Sequence, residues 1–262
     1  MPFNVAAEAT WFRARLEALA ARPVWGETKI HLRIAIPNIR QVVADRRKLL
    51  DAADDEEVGA LADALWGGVT YDEMALAIAL LRERPSLVTP ERIDRWRPDL
   101  DGWGTTDDLA GALRPWVVDE PEYALAVLEL LVAESHAWSR RLALLATTGL
   151  ARSGREVPRI LAMVASVLDD VRPTIQRAVS TVLRETGVAA PDDVLAFVEE
   201  HSDDLPARTR LEVWNKIRTG RKDGRSERRA EARRDRIDRV RKKGSGTTSR
   251  RPPGRRGRGR GE

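Results

Sequence analysis

Two short clusters contain the residues of this chain best suited to chemistry, and each places a tryptophan near the start of a predicted helix. In the first cluster, Trp103 and Asp107 lie four residues apart, so both side chains can project from one face of the helix. The carboxylate is therefore a candidate catalytic group. A purely structural role also fits, because Thr105 and Asp108 match a capping box and acidic residues are favoured in a first helical turn.

The second cluster places two adjacent arginines, Arg140 and Arg141, beside Trp138 at another predicted helix start. Arginines in such a position can hold a phosphate group of a nucleic acid. Ion pairs on the protein surface are the commoner explanation for neighbouring charged side chains. The local pattern alone leaves both interpretations open.

The composition argues against several other kinds of site. The three histidines, at positions 31, 136 and 201, have no metal-ligand spacing, and the chain has no phosphate-binding glycine loop. It has no cysteine, which excludes disulfides and thiolate nucleophiles and fits a reducing compartment. We therefore expect a protein without metal or cofactor. Because we find neither a signal-peptide pattern nor a long apolar segment, we also expect a cytoplasmic location and no membrane contact.

Helical periodicity dominates the elements that must position these clusters, with apolar residues recurring at i, i+3 and i+4. No segment is a convincing strand, since the alternating stretch at 29–36 is short and runs into Pro37. Prolines at helix starts and glycines near helix ends mark the boundaries. The predicted helices span residues 5–21, 38–52, 54–66, 71–84, 104–118, 121–134, 137–152, 157–169, 172–186, 191–201 and 205–219.

The last six predicted helices pair into hairpins whose first helices begin near residues 121, 157 and 191. Repeats of this length, with two helices in each unit, indicate an all-α solenoid of the HEAT-like or armadillo type. We expect residues 1–220 to form this domain, with one row of helices lining an extended concave groove.

Charge is divided unevenly along the chain. Residues 221–262 hold 18 basic and 6 acidic residues, which leaves 27 basic and 35 acidic side chains in residues 1–220. A nucleic-acid-binding surface on this acidic body would require its basic residues to cluster on one face. We expect a charged linker or helix at 221–243 and a disordered arginine- and glycine-rich tail at 244–262, able to bind nucleic acid without reading its sequence.

Six segments together form an ordered series of motifs. They are 35–41, similar to Gly-Val-x-x-Pro-x-x-Arg with Ala35 where glycine is usual; Leu65-Trp66 followed by 73–76; Trp103-x-x-x-Asp107; Trp138-x-x-Arg141-x-Ala143; 178–185, similar to Ala-x-x-Trp-x-Leu-Arg-Glu; and 212–222. The series resembles the DNA alkylation repair family of HEAT-like DNA glycosylases, known as AlkD-like proteins. It covers about residues 30–222, and its order and spacing are more specific than any single motif.

The resemblance implies an enzyme that excises cationic alkylated purines, such as 3-methyladenine or 7-methylguanine, from double-stranded DNA, and we expect it to act as a monomer. In that family the carboxylate corresponding to Asp107 is catalytic, and the arginine corresponding to Arg141 holds the DNA backbone near the lesion. By the same resemblance, Trp103 packs against the deoxyribose. The remaining DNA-binding candidates are Arg140, Arg184 and Arg40.

One departure from the family concerns the aromatic residues around the lesion. Thr181 stands where active members have a second aromatic, and Val24, next to Trp25, falls at the position of an N-terminal one. The alternative function is therefore a non-catalytic HEAT-like scaffold that binds nucleic acid or protein. The placement of arginines distinguishes the two, because a DNA-binding groove requires them on one concave face with Asp107. The arginines concerned are Arg40, Arg140, Arg141, Arg177 and Arg184.

Overall fold

The computed structural model describes residues 3–223, which are mainly helical. The predicted tail at 244–262 and nearly all of the predicted segment at 221–243 lie outside the described residues. Within residues 3–223, no helix is long and apolar enough to cross a membrane. The α-helices are α1 Val5–Leu19, α2 Ile36–Asp45, α3 Arg47–Ala52, α4 Asp55–Trp66, α5 Tyr71–Glu83, α6 Pro90–Trp96, α7 Trp103–Asp119, α8 Pro121–Ala133, α9 Ala137–Ala146, α10 Thr148–Ser153, α11 Val157–Ala165, α12 Pro173–Ala189, α13 Pro191–Glu200 and α14 Ala207–Thr219.

Local sequence signals set the boundaries of these helices. α4 and α5 each begin with a capping box. The side chain of Asp54 or Thr70 accepts a hydrogen bond from the backbone N–H of the third helical residue, a glutamate whose side chain accepts one from the backbone N–H of the capping residue. Proline occupies the first turn of α8, α11, α12 and α13, where its fixed φ suits a helix and no intrahelical hydrogen bond is lost. Gly220 ends α14 in the left-handed conformation, with φ of 73°.

The helices pack in two rows, as in a solenoid. One row, which we call the inner row, consists of α2, α5, α7, α9, α12 and α14, each packed against the next, with other helices such as α4, α8, α11 and α13 behind it. A continuous cluster of buried apolar residues lies between the rows and extends from Ala9 to Val213. The prediction of an all-α solenoid of helical hairpins with a concave groove is confirmed, and the inner row carries the candidate site residues.

The structure departs from the predicted elements in several places. Two of the long predicted helices are broken near the middle, at Arg46 and at Thr147. The prediction missed α6, because seven residues are too few to display a helical period. The expectation that no strand occurs is wrong, since β1 Val24–Trp25 and β2 Ile30–His31 form an antiparallel hairpin. Each strand has only two residues, so no alternating pattern marks it in the sequence.

Candidate active site

The first turn of α7 carries the carboxylate that the sequence singles out. Trp103 is the first residue of α7, and Asp107 follows one turn later on the same side of the helix. The predicted capping box of Thr105 and Asp108 is wrong, because α7 begins before Thr105 and no side chain caps it. Asp108 instead accepts a 2.5 Å hydrogen bond from Arg82 on α5.

A bidentate ion pair joins Asp107 to Arg141 on α9. Arg141 Nε lies 2.6 Å from Oδ1 and Nη2 lies 2.7 Å from Oδ2, while Nη1 donates to the carbonyl oxygen of Thr174 at 2.9 Å. The arginine side chain is only 5% exposed, whereas that of Asp107 is 45% exposed. The guanidinium therefore binds the carboxylate and fixes its orientation. Part of the carboxylate remains open to solvent.

Trp103 forms a flat wall beside this ion pair. The Cζ atom of Arg141 lies 4.2 Å from the centroid of the indole ring, within the range of a cation–π contact. Trp138 packs edge-on against the same ring, at a centroid distance of 5.9 Å. Arg177 on α12 places a second guanidinium 4.8 Å from the Trp103 centroid. The two tryptophan clusters identified in the sequence therefore meet in one site.

An open cavity of about 590 Å³, which we call the cationic cavity, extends from Trp103 to α12 and α14. The side chain of Arg177 is exposed there and makes no hydrogen bond or ion pair within the described residues. Arg184 lies along its own helix, with Nε 3.0 Å from the Ser180 carbonyl oxygen and Nη2 3.0 Å from Thr181 Oγ1. The charged residues lining the cavity are Glu212, Arg141, Arg177, Arg184, Arg208 and Lys222. This lining is suited to an anion.

Two of the predicted DNA-binding arginines lie outside the cationic cavity. Nη1 of Arg140 donates to Asp170 Oδ2 at 2.8 Å. Hydrogen bonding from Arg172, with a smaller contribution from Arg140, lowers the pKa of Asp170 to about 2. Arg40 is exposed on α2 and lines a separate cavity of about 360 Å³ together with Arg82. The predicted arginines are therefore divided among different surfaces, and Arg141 and Arg184 share the cationic cavity with Arg177.

A second cavity beside Asp107, of about 470 Å³, has mainly apolar walls, and we call it the apolar cavity. One wall includes His31 and Tyr71, whose rings stack with centroids 4.2 Å apart. The other apolar wall residues come from α2, α5 and the segment before α2, and are Ile34, Ile36, Ile39, Ala75 and Ile78. Asp107 lines this cavity, whereas its partner Arg141 lines the cationic cavity. The ion pair therefore lies where the two cavities meet.

Comparison with protein families identifies the group to which this chain is related. The matching family model is described as DNA alkylation repair enzyme and spans residues 22–217. The match covers well over half of the chain and includes Trp103, Asp107, Arg141 and Arg177. The chain belongs to the DNA alkylation repair enzyme family. None of the curated proteins compared with this family member matches it.

Two solved structures resemble this DNA alkylation repair family member in fold. A predicted DNA alkylation repair enzyme from Enterococcus faecalis is 14% identical, with a TM-score of 0.59 over 75% of this chain and 87% of the other. AlkD2 from Streptococcus mutans is 16% identical, with a TM-score of 0.54 over 80% of this chain and 97% of the other. At these identities the likeness concerns the helical fold alone.

The DNA alkylation repair family motif Gly-Val-x-x-Pro-x-x-Arg has a different register from the one assumed in the sequence comparison. Pro37 and Arg40 anchor the motif, so its glycine corresponds to Arg33 and not to Ala35. Arg33 has φ of 62°, in the left-handed region that glycine occupies without steric cost. The assignment of the glycine position to Ala35, which has φ of −66°, is therefore wrong.

The aromatic residues expected around a lesion are only partly present in this family member. Thr181 lines the cationic cavity, where its Oγ1 donates to the Arg177 carbonyl oxygen at 2.9 Å. Trp25 is 79% exposed on the short hairpin. The sequence names Arg177 only among the arginines whose placement distinguishes the two functions, and not as a binding residue near Trp103, although it lies four and seven residues before Thr181 and Arg184. That helical spacing places all three residues on one face of α12, and this pattern was a sequence signal that Arg177 belongs to the site.

Proposed function

We propose that this protein is a DNA glycosylase that removes cationic alkylated purines, of the 3-methyladenine or 7-methylguanine type, from duplex DNA. The observation that supports this function best is the Asp107 carboxylate, which two hydrogen bonds from the buried Arg141 hold in a partly exposed position. A carboxylate held in this way can face a developing positive charge without reorganising during the reaction.

The proposed chemistry needs few catalytic groups. Alkylation at N3 or N7 leaves the purine positively charged, so its bond to the sugar C1′ is weakened and the base leaves with the bonding electrons as a neutral molecule. Positive charge then develops on the sugar, and Asp107 stabilises this oxocarbenium-like state. A water oxygen forms the new bond to C1′ and releases its proton to the carboxylate or to solvent. The products are the free base and an abasic site.

The cationic cavity supplies the contacts to the DNA backbone in this proposal. Arg177 is exposed and has no acidic partner within residues 3–223, so it is available to a phosphate. Arg141 has a different role, because its N–H groups are already used by Asp107 and by the Thr174 carbonyl oxygen. We therefore treat Arg141 as a positioning residue for Asp107, and Arg177 as the principal backbone contact near Trp103.

A non-catalytic scaffold is the second candidate function. Three observations favour it. The predicted arginines are divided among different surfaces, with Arg140 and Arg40 outside the cationic cavity. Acidic side chains exceed basic ones in residues 1–220, and Thr181 stands in place of an aromatic. Such a scaffold would bind DNA or protein in the same groove without breaking a bond.

Release of free base from damaged DNA tests the proposal. The full-length protein is incubated with a duplex that contains one 7-methylguanine, the released base is quantified by mass spectrometry, and abasic sites are scored by alkaline strand cleavage. The glycosylase proposal predicts equal amounts of both products, and their loss in Asp107→Asn. Asp119→Asn is the matched control, because Asp119 is an exposed carboxylate at the other end of α7. Binding without release of base would favour the scaffold.

A further inference from the structure

The apolar cavity contains a positive charge without a partner within the described residues. Three carboxylates border the cavity, and each is already engaged: Asp107 with Arg141, Asp108 with Arg82, and Asp72 with two backbone N–H groups. Arg33 lines the same cavity, is exposed, and makes no hydrogen bond or ion pair within residues 3–223. The cavity therefore presents an unneutralised guanidinium beside apolar walls.

The backbone around Arg33 is fixed by a contact from another helix. Asp72, in the first turn of α5 and 6% exposed, accepts hydrogen bonds from the N–H of Leu32 at 2.6 Å and from that of Ile34 at 3.1 Å. These bonds flank Arg33 and hold it at φ of 62°, in the left-handed region that is sterically unfavourable for residues other than glycine. An arginine therefore occupies a position where the family motif has glycine, and such strain is common at binding sites.

We propose that Arg33 and the apolar cavity form a subsite for the nucleotide next to the damaged one, with its phosphate on Arg33 and its sugar and base against the apolar wall. The inference rests on the proposed function, which puts the sugar of the damaged nucleotide at Asp107. Asp107 borders the apolar cavity, and Trp103 borders the cationic cavity. A strand whose damaged sugar lies at Asp107 therefore has one neighbouring nucleotide in each cavity.

The charge and shape of the subsite match a nucleotide better than other occupants. The phosphate complements the unpaired guanidinium, and the sugar and base complement the apolar wall. The cavity volume of about 470 Å³ lies within the range of about 300–1,000 Å³ that is typical of small-molecule sites. A purely apolar ligand would leave Arg33 unpaired, and an inorganic phosphate would leave the wall uncovered.

Neutralising one phosphate at a time tests the subsite. Binding of the full-length protein is measured by fluorescence anisotropy on duplexes with a central tetrahydrofuran abasic-site analogue and a single methylphosphonate at successive flanking positions. One of these replacements should weaken binding by wild-type protein about tenfold, as expected for loss of a charge-assisted hydrogen bond. Arg33→Gly should be insensitive to that replacement, and Arg33→Lys should retain part of the effect. Glycine is chosen because it keeps the left-handed turn.

Arg155→Gln is the matched control. Arg155 donates to the carbonyl oxygen of Val118, which lies roughly 22 Å along α7 from Trp103 at 1.5 Å per residue. Its loss should leave the effect of the methylphosphonate intact. On undamaged duplex, Arg33→Gly should also make the slope of log affinity against log salt concentration less negative by about 0.9, the value expected for loss of one phosphate contact. Equal sensitivity of wild type and Arg33→Gly to every methylphosphonate, with equal salt slopes, would overturn the proposal.

The subsite and the glycosylase function can fail independently. Absence of base release by the wild-type protein refutes the glycosylase function. If the wild-type protein releases no base but Arg33→Gly is insensitive to the methylphosphonate that weakens wild-type binding, the cavity is a nucleotide-binding subsite of a scaffold. Normal base release together with an unchanged methylphosphonate profile in Arg33→Gly refutes the subsite and leaves the glycosylase function standing.

Discussion

The Asp107–Arg141 ion pair should contribute more to folding stability than a pair on the protein surface, because the arginine is almost fully buried. Hydrogen bonds of 2.6 and 2.7 Å put the charge centres roughly 4 Å apart, which gives about 4 kcal/mol of attraction at an effective dielectric constant of about 20. Water reaches the carboxylate, which is 45% exposed, and burial of the guanidinium also has a desolvation cost. We therefore expect a coupling free energy of about 2 kcal/mol.

A double-mutant cycle in urea measures this coupling. The free energy of unfolding is determined for the wild type, for Asp107→Ala, for Arg141→Met and for the double variant, since methionine occupies much of the space of the arginine stem. The control cycle uses Arg47 and Glu83, which lie 2.5 Å apart with side chains 59% and 55% exposed. That exposed pair should couple by less than about 1 kcal/mol. A coupling for Asp107 and Arg141 no larger than the control would refute the argument that burial of the arginine fixes the carboxylate.

Three further outcomes are expected. Hydrogen bonding from Arg172 lowers the pKa of Asp170 from 3.8 to about 2, so its contribution of about 2 kcal/mol is present above pH 3.8 and is lost as the pH falls through 2. Asp170→Asn should reduce the pH dependence of the free energy of unfolding, measured in urea between about pH 4 and pH 2, and an unchanged pH dependence would contradict this. Thr181→Trp should strengthen binding to the abasic-site duplex about fivefold or more by stacking on a base, and unchanged anisotropy titrations would show that the ring does not reach the DNA. Deletion of residues 223–262 should weaken binding to undamaged DNA and reduce its salt dependence, with base release at saturating DNA retained; identical salt slopes for the full-length and truncated proteins would argue against a binding role for the tail.

Much of the helical architecture was predictable, because its signals are local. Pro121, Pro173 and Pro191 mark the first turns of α8, α12 and α13 within a few residues of the predicted starts. The spacing of Trp103 and Asp107 likewise predicted that both project from one helix face, and α7 places them so. Signals of this kind depend on neighbouring residues and are therefore readable in the sequence.

The partners of the site arginines were not predictable, because they come from distant parts of the chain. The family resemblance implies a contact of Arg141 with the DNA backbone, whereas its pairing with Asp107 arises from the packing of α9 against α7. The neighbouring Arg140 bonds to Asp170 instead. The left-handed conformation of Arg33 depends in the same way on a helix that begins well after it in the chain.

The central claim is that the negative charge of Asp107 stabilises the sugar cation during base release. Its most direct test is the single-turnover rate of 7-methylguanine release by Asp107→Asn, since asparagine keeps the size of the side chain and one acceptor for Arg141 but removes the charge. We expect the rate constant to fall roughly 100- to 1,000-fold, or about 2.7–4 kcal/mol, while affinity for undamaged DNA stays nearly unchanged. Circular dichroism at the assay temperature verifies that the variant is folded. Base release at the wild-type rate by the folded variant would contradict the claim.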